Sequence, residues 1–80
     1  MKINLIAFGI AKDILRSKQV ELELMDGDTI SSLKKKLFQH YPDFSNLKSL
    51  SFAVGDQYED DSYTLHDSDE VVIIPPVSGG

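Results

Sequence analysis

The sequence predicts an α+β domain, a mixed sheet of about five strands with one main helix laid across one face. Three observations carry that expectation. Residues 20–24 alternate strictly between apolar and charged (Val20, Glu21, Leu22, Glu23, Leu24), as a half-buried strand does. Ile30, Leu33, Leu37 and Tyr41 recur at helical spacing behind Thr29, a residue suited to capping a helix start. Val71, Val72, Ile73 and Ile74 are apolar at every position, the pattern of a strand covered on both faces.

The other elements follow in order. Residues 3–8 read as a first strand closed by Gly9, and residues 9–17 as a short helical turn with Ile10, Ala11, Ile14 and Leu15 as its apolar stripe. Asp26-Gly27-Asp28 is a turn. In the main helix Phe38 lies beside the apolar positions, and Lys34, Lys35 and Lys36 fall between them, as a solvated face would. Pro42 ends that helix, because the residue before a proline is pushed out of the helical region. Residues 44–48 read as an irregular connection. Leu50, Phe52 and Val54 alternate with Ser51 and Ala53 up to a Gly55-Asp56 turn, giving a third strand. The polar stretch 57–65 carries one short strand, Asp67-Ser68-Asp69 makes a turn, and residues 70–75 form the last strand. Pro75 stops its pairing, since proline has no amide hydrogen for the ladder.

One helix covers one face of a sheet, yet two strands are apolar on both. Val72 and Ile74 oppose Val71 and Ile73, and Ile6 and Phe8 oppose Ile3 and Leu5. Loops could reach over the second face; the alternative, preferred here, is a partner surface of Ile6, Phe8, Val72 and Ile74.

Eighty residues make one domain, and with no Cys neither a disulfide nor a zinc-thiolate site can reinforce its core. The expected organisation is a domain over residues 1–75 and a flexible tail over residues 76–80. No apolar run is long enough to span a membrane, and the start is too short in apolar residues for a signal peptide, so a cytoplasmic protein is expected. The net charge is −5 and unevenly placed. Residues 1–48 hold all eight Lys and Arg against six acids, whereas residues 49–80 hold seven acids and no base. That argues against nucleic acid, which needs a basic footprint. It suits a partner with a positive groove near the tail, or simply a solvated acidic loop.

Conventional catalytic apparatus is missing from the sequence. His40 and His66 are the only histidines and have no Cys to join them, so no metal site is expected. Gly9, Gly27 and Gly55 are isolated and make no phosphate loop. The acids among residues 58–62 lack the spacing of a calcium loop. What remains is the terminal carboxylate. The chain ends Pro75-Pro76-Val77-Ser78-Gly79-Gly80, a tail whose tip has no side chains and can thread a channel closed to other residues. A carboxylate is a poor electrophile until one oxygen becomes a leaving group. Adenylation by an ATP-dependent partner would supply that group, and no cofactor need be bound by the chain itself. A sulfur nucleophile could then displace AMP to leave a thiocarboxylate, or a lysine amine could do so and give a protein conjugate.

These features resemble a known family. The element order, the segment Asp67-Ser68-Asp69-Glu70-Val71 and the ending Pro75-Pro76-Val77-Ser78-Gly79-Gly80 are similar to the small subunit of molybdopterin synthase, a sulfur carrier of ubiquitin-like β-grasp fold. Ubiquitin and the thiamine sulfur carrier share the Gly-Gly end, but the Pro-Pro-Val-Ser approach to it resembles the molybdopterin protein. The resemblance implies that Gly80 bears the sulfur as a C-terminal thiocarboxylate and that Gly79 gives clearance. It implies that Pro75, Pro76, Val77 and Ser78 lie extended in a channel of the synthase large subunit, where the sulfur goes to the dithiolene of molybdopterin. It also implies an activating partner, a ubiquitin-activating-like adenylyltransferase, and no catalysis by this chain alone. The alternative is a ubiquitin-like modifier joined to lysines through the same glycine, as in small archaeal modifier proteins. A third possibility is a docking domain with an inert tail. Ser68 departs from the family pattern by standing where glycine is usual, and Gly55-Asp56 departs from the usual Asn-containing turn.

Overall fold

The structure, a computed structural model, describes residues 1–47 and 49–76. Strand β1 (Lys2–Ala7) leads into helix α1 (Gly9–Leu15), which returns the chain to strand β2 (Gln19–Glu23). Helix α2 (Ile30–His40) and a 3-10 helix (Pro42–Asn46) follow. Strands β3 (Ser51–Val54), β4 (Gln57–Glu59) and β5 (Glu70–Ile74) complete one sheet in the order β2-β1-β5-β3-β4. Strands β1 and β5 are parallel and every other pair is antiparallel, so the mixed sheet expected from the sequence is present.

One face of that sheet carries the core. Ile3 and Leu5 of β1, Leu22 of β2, Phe52 of β3, and Val71 and Ile73 of β5 pack with Leu33 and Leu37 of α2 and with Ala11 and Leu15 of α1. Burial along β5 reads exposed, buried, half-buried, buried, half-buried, which marks Val71 and Ile73 as the inward residues. Each fully buried aliphatic side chain contributes about 1.5–3 kcal/mol, so the inner face supplies most of the driving force for folding.

Helix α2 begins as its sequence demands. The Thr29 hydroxyl accepts from the Ser32 amide, and the Ser32 hydroxyl accepts from the Thr29 amide, which satisfies two amides at the helix start. Tyr41 closes the helix, its amide donating to the Leu37 carbonyl. The chain then departs from expectation. Residues 44–46, read as irregular, belong to the 3-10 turn that opens on Pro42, and Phe44 is buried beneath it. Proline suits the first position of such a turn because its missing amide would have had no partner there. In α1, Ala11 and Leu15 are buried and Ile14 half-buried, whereas Ile10 is exposed, so a helix of two turns buries a narrower stripe than its apolar content suggests. Leu65 is also fully buried, at the end of the polar stretch expected to carry one short strand; its amide donates to the Asp28 carbonyl and an isolated bridge joins Thr29 to Thr64.

Two tight turns set the strands around β5. Gly55 has positive φ and precedes Asp56 between Val54 and its partner Gln57, as in a hairpin turn with glycine at the first central place. Before β5, the Asp69 amide donates to the His66 carbonyl and Ser68 takes φ 70° at the third place of that turn. A turn of this kind favours glycine, because a Cβ is strained in the left-handed region. The departure noted at Ser68 is therefore a strained position. Replacing Ser68 by Gly is expected to stabilise the domain by about 0.5–1 kcal/mol after allowing for the freer unfolded chain, read as a rise of a few degrees in thermal midpoint; an unchanged or lower midpoint would refute the strain.

Candidate functional site

The candidate site begins where β5 leaves the sheet. That strand is central, with β1 on one side and β3 on the other, so Ile74 is held through Ser51 and its neighbours. Pro75 and Pro76 follow and are half-buried. Val77, Ser78, Gly79 and Gly80, on which the expected chemistry rests, lie outside the described residues.

The strand register brings the proposed surface residues together. Residues paired across strands project to the same face. Ile6 pairs with Val72, Val72 with Ala53, and Ala53 with Tyr58, so one apolar row crosses four strands on the face opposite the helices. Ile74, paired with Ser51, lies one row nearer the tail. Phe8 follows Ala7, the partner of Ile73, in extended backbone and so stands level with Ile74 on that outer face. Ile6, Val72 and Ile74 are half-buried and Phe8 is 54% exposed. Neither α1 nor α2 packs there, because both insert their apolar residues into the core on the other face.

Ala53 and Tyr58 were not singled out from the sequence. Ala53 is buried yet sits outside the main core, flanked by Val72 and Tyr58 in its row. Tyr58 is 68% exposed on an edge strand. A large aromatic in a polar hairpin was the available signal, but only the register shows that it completes the row.

The acidic half of the chain divides into separate groups. Asp67, Asp69 and Glu70 lie at or before the start of β5, about 13 Å along the strand from Ile74 at the usual rise. Asp67 accepts from the Lys2 amide and Asp69 from the His66 amide, so both brace a turn. Asp56 sits in the hairpin at that same end. Glu59, paired with Phe52 beside Ile73, is nearer the tail. Asp60 accepts from the amide and hydroxyl of Ser62, which hold its carboxyl below the usual range. Asp61 pairs with Lys34 at 2.9 Å and ties its loop to α2. The acids therefore fall into two groups: Glu59, Asp60 and Asp61 line a groove with Leu50 and Ser51 near Ile74, and Asp56, Asp67, Asp69 and Glu70 lie at the other end of β5.

Among the described residues no group of three or more His, Cys, Asp or Glu could hold a metal ion. His40 and His66 are both exposed, and the nearest carboxylate to the His66 Nδ1 is Asp69 at 3.8 Å. Among the described residues no helix is long and apolar enough to cross a membrane. Chemically, the arrangement presents the end of β5 beside an apolar face.

Known proteins are similar to this chain in sequence and in fold. A molybdopterin synthase sulfur carrier subunit of Chlamydomonas reinhardtii is 31% identical, with 100% of each chain covered. One of Mycobacterium tuberculosis is 30% identical, over 100% of this chain and 99% of its own. Among solved structures, a Pyrococcus furiosus protein described as molybdopterin converting factor subunit 1 superposes with a TM-score of 0.88 at 21% identity, over 96% and 99% of the two chains. Small archaeal modifier protein 1 of Haloferax volcanii gives 0.83 at 14% identity, over 95% and 98%. A complex of subunits 1 and 2 of molybdopterin-converting factor from Helicobacter pylori contains a chain matching at 0.69 and 21% identity, with both chains covered fully. These structures share the β-grasp fold of ubiquitin-like proteins. Residues 5–80 match the ThiS family, and with the full-length relatives this establishes that the chain belongs to the ThiS family.

Proposed function

We propose that this protein is the sulfur-carrier subunit of a molybdopterin synthase, acting in molybdenum cofactor biosynthesis in the cytoplasm. The observation that carries the proposal is end-to-end similarity, at 30–31% identity, to proteins named molybdopterin synthase sulfur carrier subunits. Their match extends through the Gly79-Gly80 end of this chain.

The chemistry places every bond change on the Gly80 carboxyl. Its oxygen attacks the α-phosphorus of ATP on an activating adenylyltransferase, releasing pyrophosphate and leaving an acyl adenylate. Sulfide attacks the acyl carbon and AMP departs with the oxygen, leaving the thiocarboxylate directly. If the sulfur comes as a protein persulfide, an acyl disulfide forms first and a thiol, itself oxidised to a disulfide, cleaves its S–S bond to release the same thiocarboxylate. That soft nucleophile then enters the active site of the large subunit and gives up sulfur to form the dithiolene. Gly79 and Gly80 supply clearance, and Pro75, Pro76, Val77 and Ser78 the extended approach. The six residues after Ile74 can span about 20 Å when extended, enough to reach a buried site from a docked domain. The chain itself catalyses nothing in this scheme and binds no cofactor; ATP belongs to the activating enzyme.

Docking falls to the outer face of Ile6, Phe8, Val72 and Ile74, extended by Ala53 and Tyr58. The Helicobacter pylori complex supports a two-subunit arrangement. A row of apolar side chains beside the root of a tail lets one rigid strand position both the contact and the reacting end. The modifier alternative uses the same activated carboxyl with a lysine amine as nucleophile. Sulfur donation is preferred because the relatives at 30–31% identity carry that name, whereas the modifier shares only the fold.

Two tests address this reading. Deleting Gly80, or appending one Ala after it, is expected to abolish sulfur transfer to the large subunit while the thermal midpoint stays unchanged; full activity in the Ala-extended protein would refute the terminal carboxyl as the site. For the surface, Ile74→Asp is expected to weaken the complex with the large subunit by at least about 1–2 kcal/mol, the scale of one buried aliphatic side chain. Tyr58→Ser is expected to weaken it too, with little loss of domain stability. If Ile74→Asp unfolds the domain instead, Ile74 belongs to the core.

A further inference from the structure

A tail that leaves from the middle of a sheet has a problem that a tail leaving from an edge does not. On both sides of β5 there is a neighbour to which the next residues could pair. The alternation of the backbone can be followed up to that point. The Asn4 amide donates to the Asp69 carbonyl, so residue 69 faces β1. The Gly55 amide donates to the Glu70 carbonyl, so residue 70 faces β3. Amide and carbonyl of one strand residue point to the same side, and the side alternates along the strand. Residues 71, 73 and 75 therefore address β1, and residues 72, 74 and 76 address β3.

Continuing the register by one and two residues places Pro75 opposite Leu50 and Pro76 opposite Ser49. The next donor toward β1 would be the amide of residue 75, aimed at the Phe8 carbonyl. The next donor toward β3 would be the amide of residue 76, aimed at the Ser49 carbonyl. Both positions are proline, and neither has an amide hydrogen. One proline would silence one side only. Two in succession silence both.

We propose that Pro75 and Pro76 form a two-sided stop that keeps the reactive tail from zipping onto its own sheet, and are thus positioning residues for the carboxyl chemistry. This rests on the sulfur-carrier reading for its consequence but not for its geometry. The need for it comes from sequence and register together. Val77 is β-branched and suited to a strand, and Ser49 and Leu50 lie just upstream of β3 without strand partners. Two residues added to the ladder would withdraw about 7 Å of reach from the tail. The two sides are unequal. Beyond Phe8 the chain turns into α1, and the Phe8 carbonyl already accepts from the Lys12 amide, whereas Ser49 and Leu50 remain open. Pro76 is accordingly the more important of the two.

The test uses the full chain with Pro76→Thr, Pro75→Thr and the double substitution. Amide hydrogen exchange is followed by NMR at the restored positions, and steady-state kinetics with the activating enzyme give the apparent affinity for each variant. In Pro76→Thr the amide of residue 76 is expected to be protected at least about tenfold, a measure of local closing. A tail that is free only a tenth of the time lowers apparent affinity about tenfold, so the two readouts should agree. Pro75→Thr should show less of both, the double substitution the most, and none should lower the thermal midpoint. An unprotected amide at residue 76 overturns the proposal. So does protection with unchanged apparent affinity, and so does a loss of affinity without protection, which would mean that the prolines act by touching the partner. If the wild-type chain is not activated by that enzyme, the sulfur-carrier reading fails, while the exchange measurement still decides whether the stop exists.

Discussion

Strand β5 is pinned from both sides, parallel to β1 and antiparallel to β3, and the remaining structure depends on that double ladder. The first and last strands of the chain meet at the centre of the sheet, so the fold closes only when both ends are in place. Val71 and Ile73 fill the core between the helices and the sheet and are fully buried. A slip of one residue would turn both to the opposite face and bring Val72 and Ile74 inward, which the alternating requirement of the core forbids. The same register that secures the core therefore fixes which side chains line the outer face and where the tail departs. Stability and presentation are two faces of one strand.

In the proposed role a small domain suffices, because the reacting group is its own carboxyl. That role asks for a stiff base, a complementary face and an accessible carboxyl. Rigidity at the base matters because a docked domain delivers its end accurately only if the departure point does not wander. Under the proposed function, an apolar face would also suit exchange between an activating enzyme and an accepting subunit, since non-directional contact demands shape and burial rather than a fixed set of hydrogen bonds.

Much of this was legible in the sequence, and for identifiable reasons. Alternation in residues 20–24, the cap at Thr29, the Gly55 turn and the doubly apolar last strand are local signals whose meaning survives without tertiary context. Phe44 and Leu65 were not legible as core, because each is a single apolar residue in a polar stretch and is buried by where neighbouring elements carry it. Ile10 shows the converse: its apolar character suggested burial, but a two-turn helix has too narrow a contact stripe. At the site, Ile6, Phe8, Val72 and Ile74 could be placed on one face by counting alternate residues. Ala53 and Tyr58 required the cross-strand register, which no single segment contains. The acidic residues looked like one patch in sequence, yet the fold sends Asp67, Asp69 and Glu70 to the end of β5 remote from the tail and pairs Asp61 with Lys34. Ser68 was visible as a departure from pattern, and the positive φ gives that departure its physical meaning.

The central claim is that the Gly80 carboxyl carries sulfur. Intact-mass analysis of this protein purified from its native host, under conditions that preserve thiocarboxylates, tests it most directly. The account predicts a population heavier by the exchange of one oxygen for one sulfur, localised to the C-terminal peptide by fragmentation and shifted further by alkylation at that sulfur. Finding only the unmodified carboxylate together with isopeptide conjugates to lysines of other proteins would contradict it.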